Sequence, residues 1–427
     1  MELGGRECRQ GQYGLMRILY LATSFPEEGL GATIYTDLAE ALLEAGHEII
    51  VVASEQRRNM KRTEMRKERG LDVLRVATGN YYDVGFIEKG ISTLVYPYLM
   101  RSAISRHMGG KAYDMILFES PPVTNCSLVE WAKRRFGCRS YLMMKDIFPQ
   151  NAIDLGIIKE GSLVHRYFRR LEKRLYMTAD AIGCMSQANI EYLKRHNGWL
   201  DAGKIELFPN TKKIRELMPT DCSRMRKKLG IPDGAKLFLF GGNMGKPQYV
   251  DLLCEICSEF SGRADIFFLA VGRGTDRSKL AERIRVEGIK NALILENLPR
   301  DEYEQIAREA DVGLIILDPR FTVPNFPSRI LSYMEHAKPV AAFTDRVSDI
   351  KDLVEGSGCG VWAWSGDKTG VFAKIDEMAA SDKLEEMGLK GRKYAEENFK
   401  VERSVHILER RTGTLRMGPQ QELADGR

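Results

Sequence analysis

The chain has 427 residues, 44% of them hydrophobic and 29% charged, and 64 basic side chains set against 59 acidic ones leave a net charge of +5. Such a length excludes a single small module and predicts two domains or one fold with two cores. The composition excludes a disordered chain, and the near-balance of charge excludes a dedicated nucleic-acid binder. Residues 17–22 form a short apolar run, 33–44 carry helical spacing that stops at Gly46, and 48–53 form a second apolar run. This is a β-α-β unit whose strands do not alternate apolar with polar, so they are buried on both faces. Further strands are expected at 115–118, 140–144 and 181–185, separated by helices at 123–136 and 164–178. After a mixed segment at 211–233 the alternation resumes. Strands at 237–240, 266–271, 292–295, 312–317, 340–343 and 360–363 are interleaved with helices near 249–261, 279–287, 301–310, 328–336 and 348–354.

The fold class is therefore α/β, two Rossmann-like doubly wound domains facing across a cleft. The first is expected over 16–212 and the second over 213–395. A C-terminal helix at 396–411 and a disordered tail at 412–427 follow. Residues 1–15 have no signal-peptide core and no apolar run reaches the ~18 residues of a bilayer span, so a cytoplasmic protein is expected. Eight scattered cysteines agree with a reducing compartment. The one CxxC, Cys254 and Cys257, lies in a helix-like run without a second pair and reads as core.

In open parallel sheets the ligand lies beyond the carboxyl ends of the strands, which directs attention to the loops there. Gly242, Asn243, Gly245 and Lys246 follow a strand and precede a helix. Bared backbone N–H groups and the positive helix end suit a diphosphate, although an ordinary glycine turn has the same composition. Gly272 and Arg273 end the next strand, and Arg273 offers a fork of donors to phosphate or sugar oxygens. Pro327 and Ser328 signal a helix start, with Arg329 and Ser332 following in its first turns. In the first half, Gly29 and Gly31 open a loop to close approach by a ligand. Glu119, Lys145 and Asp146 end strands and can serve as acid, base or hydrogen-bond partners, or can be solvated loop charges. No histidine pairs with a cysteine or carboxylate at metal spacing, so neither a metal nor a cofactor is expected. Two basic segments, 57–69 and 159–174, suit either a solvated helix face or peripheral contact with an anionic membrane.

Taken in order, residues 16–24 with the Gly29/Gly31 loop, Ala45-Gly46-His47, Lys145-Asp146-Ile147-Phe148-Pro149, Phe208-Pro209-Asn210, Gly242-Asn243-Met244-Gly245, Val271-Gly272-Arg273-Gly274 and Pro327-Ser328-Arg329-Ile330-Leu331-Ser332-Tyr333-Met334 resemble glycosyltransferase family 4, in the form found in bacterial surface-polysaccharide enzymes. The resemblance implies GT-B architecture and metal-independent transfer with retention from a nucleotide-diphosphate sugar, UDP-linked, to a glycan or lipid-linked acceptor. It puts the donor on Gly242, Asn243, Gly245, Lys246, Gly272, Arg273, Ser328, Arg329 and Ser332. The acceptor would lie by Gly29, Gly31 and Lys145, with Asp146 and Glu119 as the catalytic carboxylates. Pro324 and Ser332 stand where many members carry a pair of glutamates, and Glu119 where relatives often carry histidine. A nucleotide-sugar 2-epimerase of the same architecture and a non-catalytic nucleotide-sugar-binding subunit are the alternatives. A nicotinamide dehydrogenase is disfavoured, because residues 23–31 lack GxGxxG.

Overall fold

The computed structural model describes residues 14–417 apart from 61, 81–83, 111, 218–223, 297 and 299. From the amino terminus the chain runs β1 (Arg17–Ala22), α1 (Ile34–Glu44), β2 (Glu48–Gln56), β3 (Glu64–Glu68), β4 (Leu71–Thr78), α2 (Phe86–His107), β5 (Met115–Ser120) and α3 (Asn125–Phe136). It continues through β6 (Arg139–Met144), α4 (Gln150–Asp154), α5 (Leu163–Thr178), β7 (Ala181–Cys184), α6 (Gln187–His196) and β8 (Ile205–Leu207). The second half comprises α7 (Arg224–Lys228), β9 (Lys236–Gly241), α8 (Val250–Glu259), β10 (Ile266–Val271), α9 (Arg277–Glu287), β11 (Ala292–Leu295), α10 (Arg300–Glu309) and β12 (Val312–Ile316). It ends with α11 (Arg329–Glu335), β13 (Val340–Thr344), α12 (Ile350–Ser357), β14 (Gly360–Trp364), α13 (Lys368–Ala380), α14 (Leu384–Asn398) and α15 (Val401–Met417).

Two sheets result. The first is ordered β3-β4-β2-β1-β5-β6-β7-β8 and the second β11-β10-β9-β12-β13-β14. All pairings are parallel except β3 with β4. Each strand order reverses once, between β1 and β5 and between β9 and β12, and at such switch points the flanking loops part to leave a crevice. The loop after β1 and the end of β5 therefore face one crevice, the loops after β9 and β12 the other. The central strands are buried along their length, β5 and β10 at every residue. Continuous apolar runs give such strands because helices cover both faces.

Three differences from the sequence reading have local causes. Residues 57–69 do not form a helix: part of this basic segment is β3, an antiparallel edge that ends at Arg69 and Gly70, both in the left-handed region (φ 55° and 77°). Its arginines are engaged, Arg66 with Glu27 at 2.9 Å and Arg69 with Glu40 at 2.9 Å. Secondly, the C-terminal helix does not begin at 396: α14 runs to Asn398 and α15 starts at Val401, the two divided at Phe399 and Lys400. Here Lys212 of the linker between the sheets pairs with the chain, its N–H donating to Phe399 O at 2.8 Å and its carbonyl accepting from Val401 N at 3.1 Å. α15 then returns to the first sheet, where Val401, Val405 and Leu408 pack with Leu38 and Leu42 of α1. Lastly, that helix runs through Met417, into the segment read as tail; residues 418–427 lie outside the described residues.

The halves are clasped by the segment after β12. Phe321 and Val323 are buried in the hydrophobic core of the first half. Thr322 N donates to Asp154 at 2.7 Å, and Pro324 O accepts from Asn189 Nδ2 at 2.8 Å.

Candidate active site

In the second half, two glycine loops are zipped together. Gly242 N donates to Val271 O at 2.8 Å, Met244 N to Arg273 O at 2.7 Å, and Asp276 N to Met244 O at 2.9 Å. This continues the β9–β10 ladder beyond the strands. Gly272 has φ +154°, and a Cβ there would stand 1.8 Å from Gly242 O, so no other residue lets the loops approach so closely. Gly242, at φ +123°, lies against the guanidinium of Arg329, with 3.2 Å between an added Cβ and Arg329 Cζ.

Arg329 opens α11. Its guanidinium stands 4.8 Å over the Phe240 ring, and its Nη1 is buried without a hydrogen-bond partner. Burial lowers its pKa, against the opposing influence of Tyr333 and Tyr303. A guanidinium with a buried, unused donor beside the two glycine loops is suited to an anion. Tyr333 locks the arrangement, its hydroxyl donating to Leu239 O at 2.8 Å and accepting from Gly241 N at 3.2 Å.

The other expected donor-side residues are distributed around this centre. Gly245 is buried, while Asn243 and Lys246 are exposed at the loop rim. Arg273 is 70% exposed and pairs with Glu296 at 3.3 Å. Ser328 is exposed and its hydroxyl makes no cap hydrogen bond, so it does not act as the helix cap the sequence suggests. Ser332 Oγ accepts from Lys212 Nζ at 3.2 Å, and the same ammonium pairs with the buried Glu335.

In the first half, Glu119, Lys145 and Asp146 meet at the ends of β5 and β6. Glu119 is buried and accepts from Thr23 N at 2.7 Å and from the Thr23 hydroxyl. It thus holds the loop after β1 and stands behind Asp146. Burial raises its pKa despite these donors and Tyr35. Asp146 is pushed up to about 7, chiefly by burial and then by the Glu119 charge. Lys145 is brought down to about 8 by burial, which Glu119 partly offsets. Its Nζ donates to Asn210 Oδ1 at 2.7 Å. Gly29 and Gly31, at φ +86° and +149°, lie in the open loop after β1, where an added Cβ meets nothing within 4 Å. The pair is a carboxylate and an ammonium poised to change charge near neutral pH.

Residues 29–211 match the model of the glycosyl transferase 4-like domain. Across 295 residues the chain is 23% identical to the "Probable glycosyltransferase WbjE" of Pseudomonas aeruginosa, a match that spans 67% of this chain and 71% of that one. The chain is a glycosyltransferase whose residues 29–211 form a glycosyl transferase 4-like domain. Its GT-B fold is shared with the sucrose-phosphate synthase of Thermosynechococcus elongatus, at TM-score 0.72 and 16% identity over 94% of this chain and 99% of that one. It is shared also with HepE of Anabaena, solved with UDP and glucose, at TM-score 0.68 and 14% identity over 93% of this chain and 100% of that one.

Several residues of the candidate site escape a motif reading. Tyr303, from α10, lies so close to β9 that a Cβ on Gly241 would stand 1.9 Å from its hydroxyl. Asn210 had only its Phe208-Pro209-Asn210 setting to mark it. Lys212, which meets Ser332, looked like one of many linker lysines.

Proposed function

We propose that this glycosyltransferase moves a sugar from a UDP-linked donor, held by the second half, to a glycan or lipid-linked acceptor at the first, with retention of configuration. The observation that carries the reading is the buried, partnerless Nη1 of Arg329 beside the Gly242 amide loop. HepE, a fold relative, was solved with UDP and glucose, which supports a uridine donor here. The resemblance to family 4 supports retention.

The bond from the sugar to the diphosphate breaks, its electron pair leaving on the phosphate oxygen. Arg329, the glycine-loop amides and, from the rim, Arg273 and Lys246 meet the charge that develops there. The acceptor hydroxyl oxygen bonds to the sugar carbon from the same face, and its proton passes to the departing phosphate. Ionised Asp146 orients that hydroxyl and faces the positive charge growing on the sugar, with Glu119 setting the loop behind it. Lys145, protonated, balances the two carboxylates. The acceptor would be met at the cytoplasmic side of a membrane, with the first half toward the lipid.

Incubation with a panel of nucleotide sugars tests the reading through slow release of the free nucleotide diphosphate. Release of UDP from one UDP-sugar, lost in Arg329→Ala, is the expected result. An epimerised sugar, or binding without turnover, would contradict it.

A further inference from the structure

On α2 the inward side is ordinary, with Tyr96, Met100 and Ile104 packed into the first core. The outward side is not. Ile91, Leu94, Val95, Tyr98 and Leu99 recur at the spacing of a single helix face, and all five are exposed, Tyr98 by 72%. Single exposed apolar residues are common on a soluble protein, whereas five in one stripe mark a surface that meets something. On α5 the opening turns repeat the pattern with Leu163, Val164 and Tyr167, and the outward positions then turn basic at Arg170, Lys173 and Arg174. α3 lies between these helices and packs on both, so the three present one continuous face. Between α3 and α5 that face holds a shallow depression of about 340 Å³ in which Arg170, Lys173 and Arg174 surround Met177. Glu130 engages Arg174, while Arg170 and Lys173 are exposed.

The position of the face matters. Gly79, just after β4, lies against Ser92 of α2, which puts the start of the apolar stripe, at Ile91, near the carboxyl ends of the strands. Phe148, two residues after Asp146, meets Phe168 of α5 edge-on at 5.0 Å, and Phe168 meets Tyr167 at 5.3 Å. The apolar opening turns of α5 are therefore contiguous with the Asp146 loop.

We infer that the α2–α3–α5 face seats the transferase on an anionic bilayer, apolar rim inserted at the interface and basic patch against the headgroups, so that Asp146 opens toward a lipid-carried acceptor. This deepens the proposed function and rests on it for the role of Asp146. Apolar area with basic flanks is the combination that binds an anionic interface. A second copy would instead have to bring the two basic patches together. Within residues 57–69, Arg66 and Arg69 are spent on the loop after β1.

Co-sedimentation of the full chain with phosphatidylcholine vesicles, with and without phosphatidylglycerol, tests the inference. The wild type is expected to pellet with the anionic vesicles and to be released by high salt. Leu94→Glu with Tyr98→Glu, and separately Arg170→Glu with Lys173→Glu, should each weaken binding by roughly tenfold or more. The second pair changes only exposed side chains, so it remains informative if the first fails to fold. UDP binding by calorimetry is expected to be the same in all variants. A chain that pellets but binds no UDP would sink the donor reading and leave the membrane face standing. The inference is overturned by a wild type that stays in the supernatant with both vesicle types, by pelleting that neither pair weakens, or by a dimer that Leu94→Glu with Tyr98→Glu converts to a monomer.

Discussion

Lys145 Nζ donates to Asn210 Oδ1 at 2.7 Å, and the amide nitrogen of the same Asn210 donates to Phe326 O at 3.0 Å. One linker side chain thus ties the cation at the acceptor side to the loop that leads into Arg329. The groups facing Lys145 are Glu119, Asn210 and the Phe208 ring, 5.7 Å from its ammonium. Asn210→Leu removes a hydrogen-bond acceptor from an already depressed ammonium, so the alkaline limb of kcat, expected near 8, should move to lower pH. Asn210→Asp adds a negative charge and should move it to higher pH. A purely structural role for Asn210 gives no such opposite pair of shifts in a pH–rate profile.

Asp146 titrates at about 7 and is proposed to work ionised, so activity should rise through that pH. Asp146→Asn is expected to lower kcat by about 10²- to 10⁴-fold, with the acid limb gone from what remains. The same residue bears on stability. Its pKa is raised on folding, so between about 4 and 7 the native state binds the extra proton and stability falls as pH rises. Asparagine cannot titrate. Chemical denaturation at pH 5 and pH 8 should therefore show a smaller loss of stability across that interval in Asp146→Asn than in the wild type.

Much of this was legible in the sequence for a definite reason. Buried parallel strands are continuous apolar runs, so residues 266–271 and 312–317 announce themselves, and the loops that follow them carry or lead into the candidate Arg273 and Arg329. Thr33 caps α1 with a capping box, a local signal that needs no tertiary partner. β3 was not legible because Glu-Met-Arg-Lys-Glu has no strand pattern; it exists through its ladder to β4. α2 eluded the reading because it is apolar on its outward side as well as its inward one, which erases the amphipathic period. Glu119 and Asp146 were both visible as strand-end carboxylates. That one braces a loop and the other adjoins the crevice is decided by Thr23 and Tyr35, far away in sequence.

Arg329 and Arg273 should separate cleanly. Arg329 is half-buried with its Nη1 wholly buried and unpartnered, so Arg329→Ala is expected to reduce donor kcat/KM by about 10²- to 10³-fold, as for other preorganised charge-stabilising donors. Arg273 is exposed and shares its charge with Glu296, which predicts a loss of less than about tenfold for Arg273→Ala. Steady-state kinetics over a range of UDP-sugar concentrations measures both.

Gly272→Ala tests the zipped loops without touching any charge. The added methyl would stand 1.8 Å from Gly242 O, a backbone atom with no rotamer to yield, and the residue would be strained at φ +154° as well. A destabilisation of about 2–4 kcal/mol is expected, read from the urea midpoint. UDP affinity should fall with it, because parting the loops moves Gly242 away from Arg329.

Arg75 carries the last prediction. Its side chain is wholly buried in β4, Nε and Nη2 pairing with Glu68 at 2.8 and 2.6 Å while Nη1 donates to Phe25 O at 2.9 Å. Phe25 belongs to the loop that Glu119 holds from the other side through Thr23. Arg75→Met leaves Glu68 charged, buried and without that partner, which should cost about 3–5 kcal/mol. Replacing Glu68 by leucine in the same chain removes the stranded charge and should restore most of the stability. The loop after β1 would still lack its anchor at Phe25 O. The double variant is therefore expected to melt near the wild-type temperature while its acceptor KM stays raised and its UDP affinity is unchanged, a combination that global loosening of the fold would not produce.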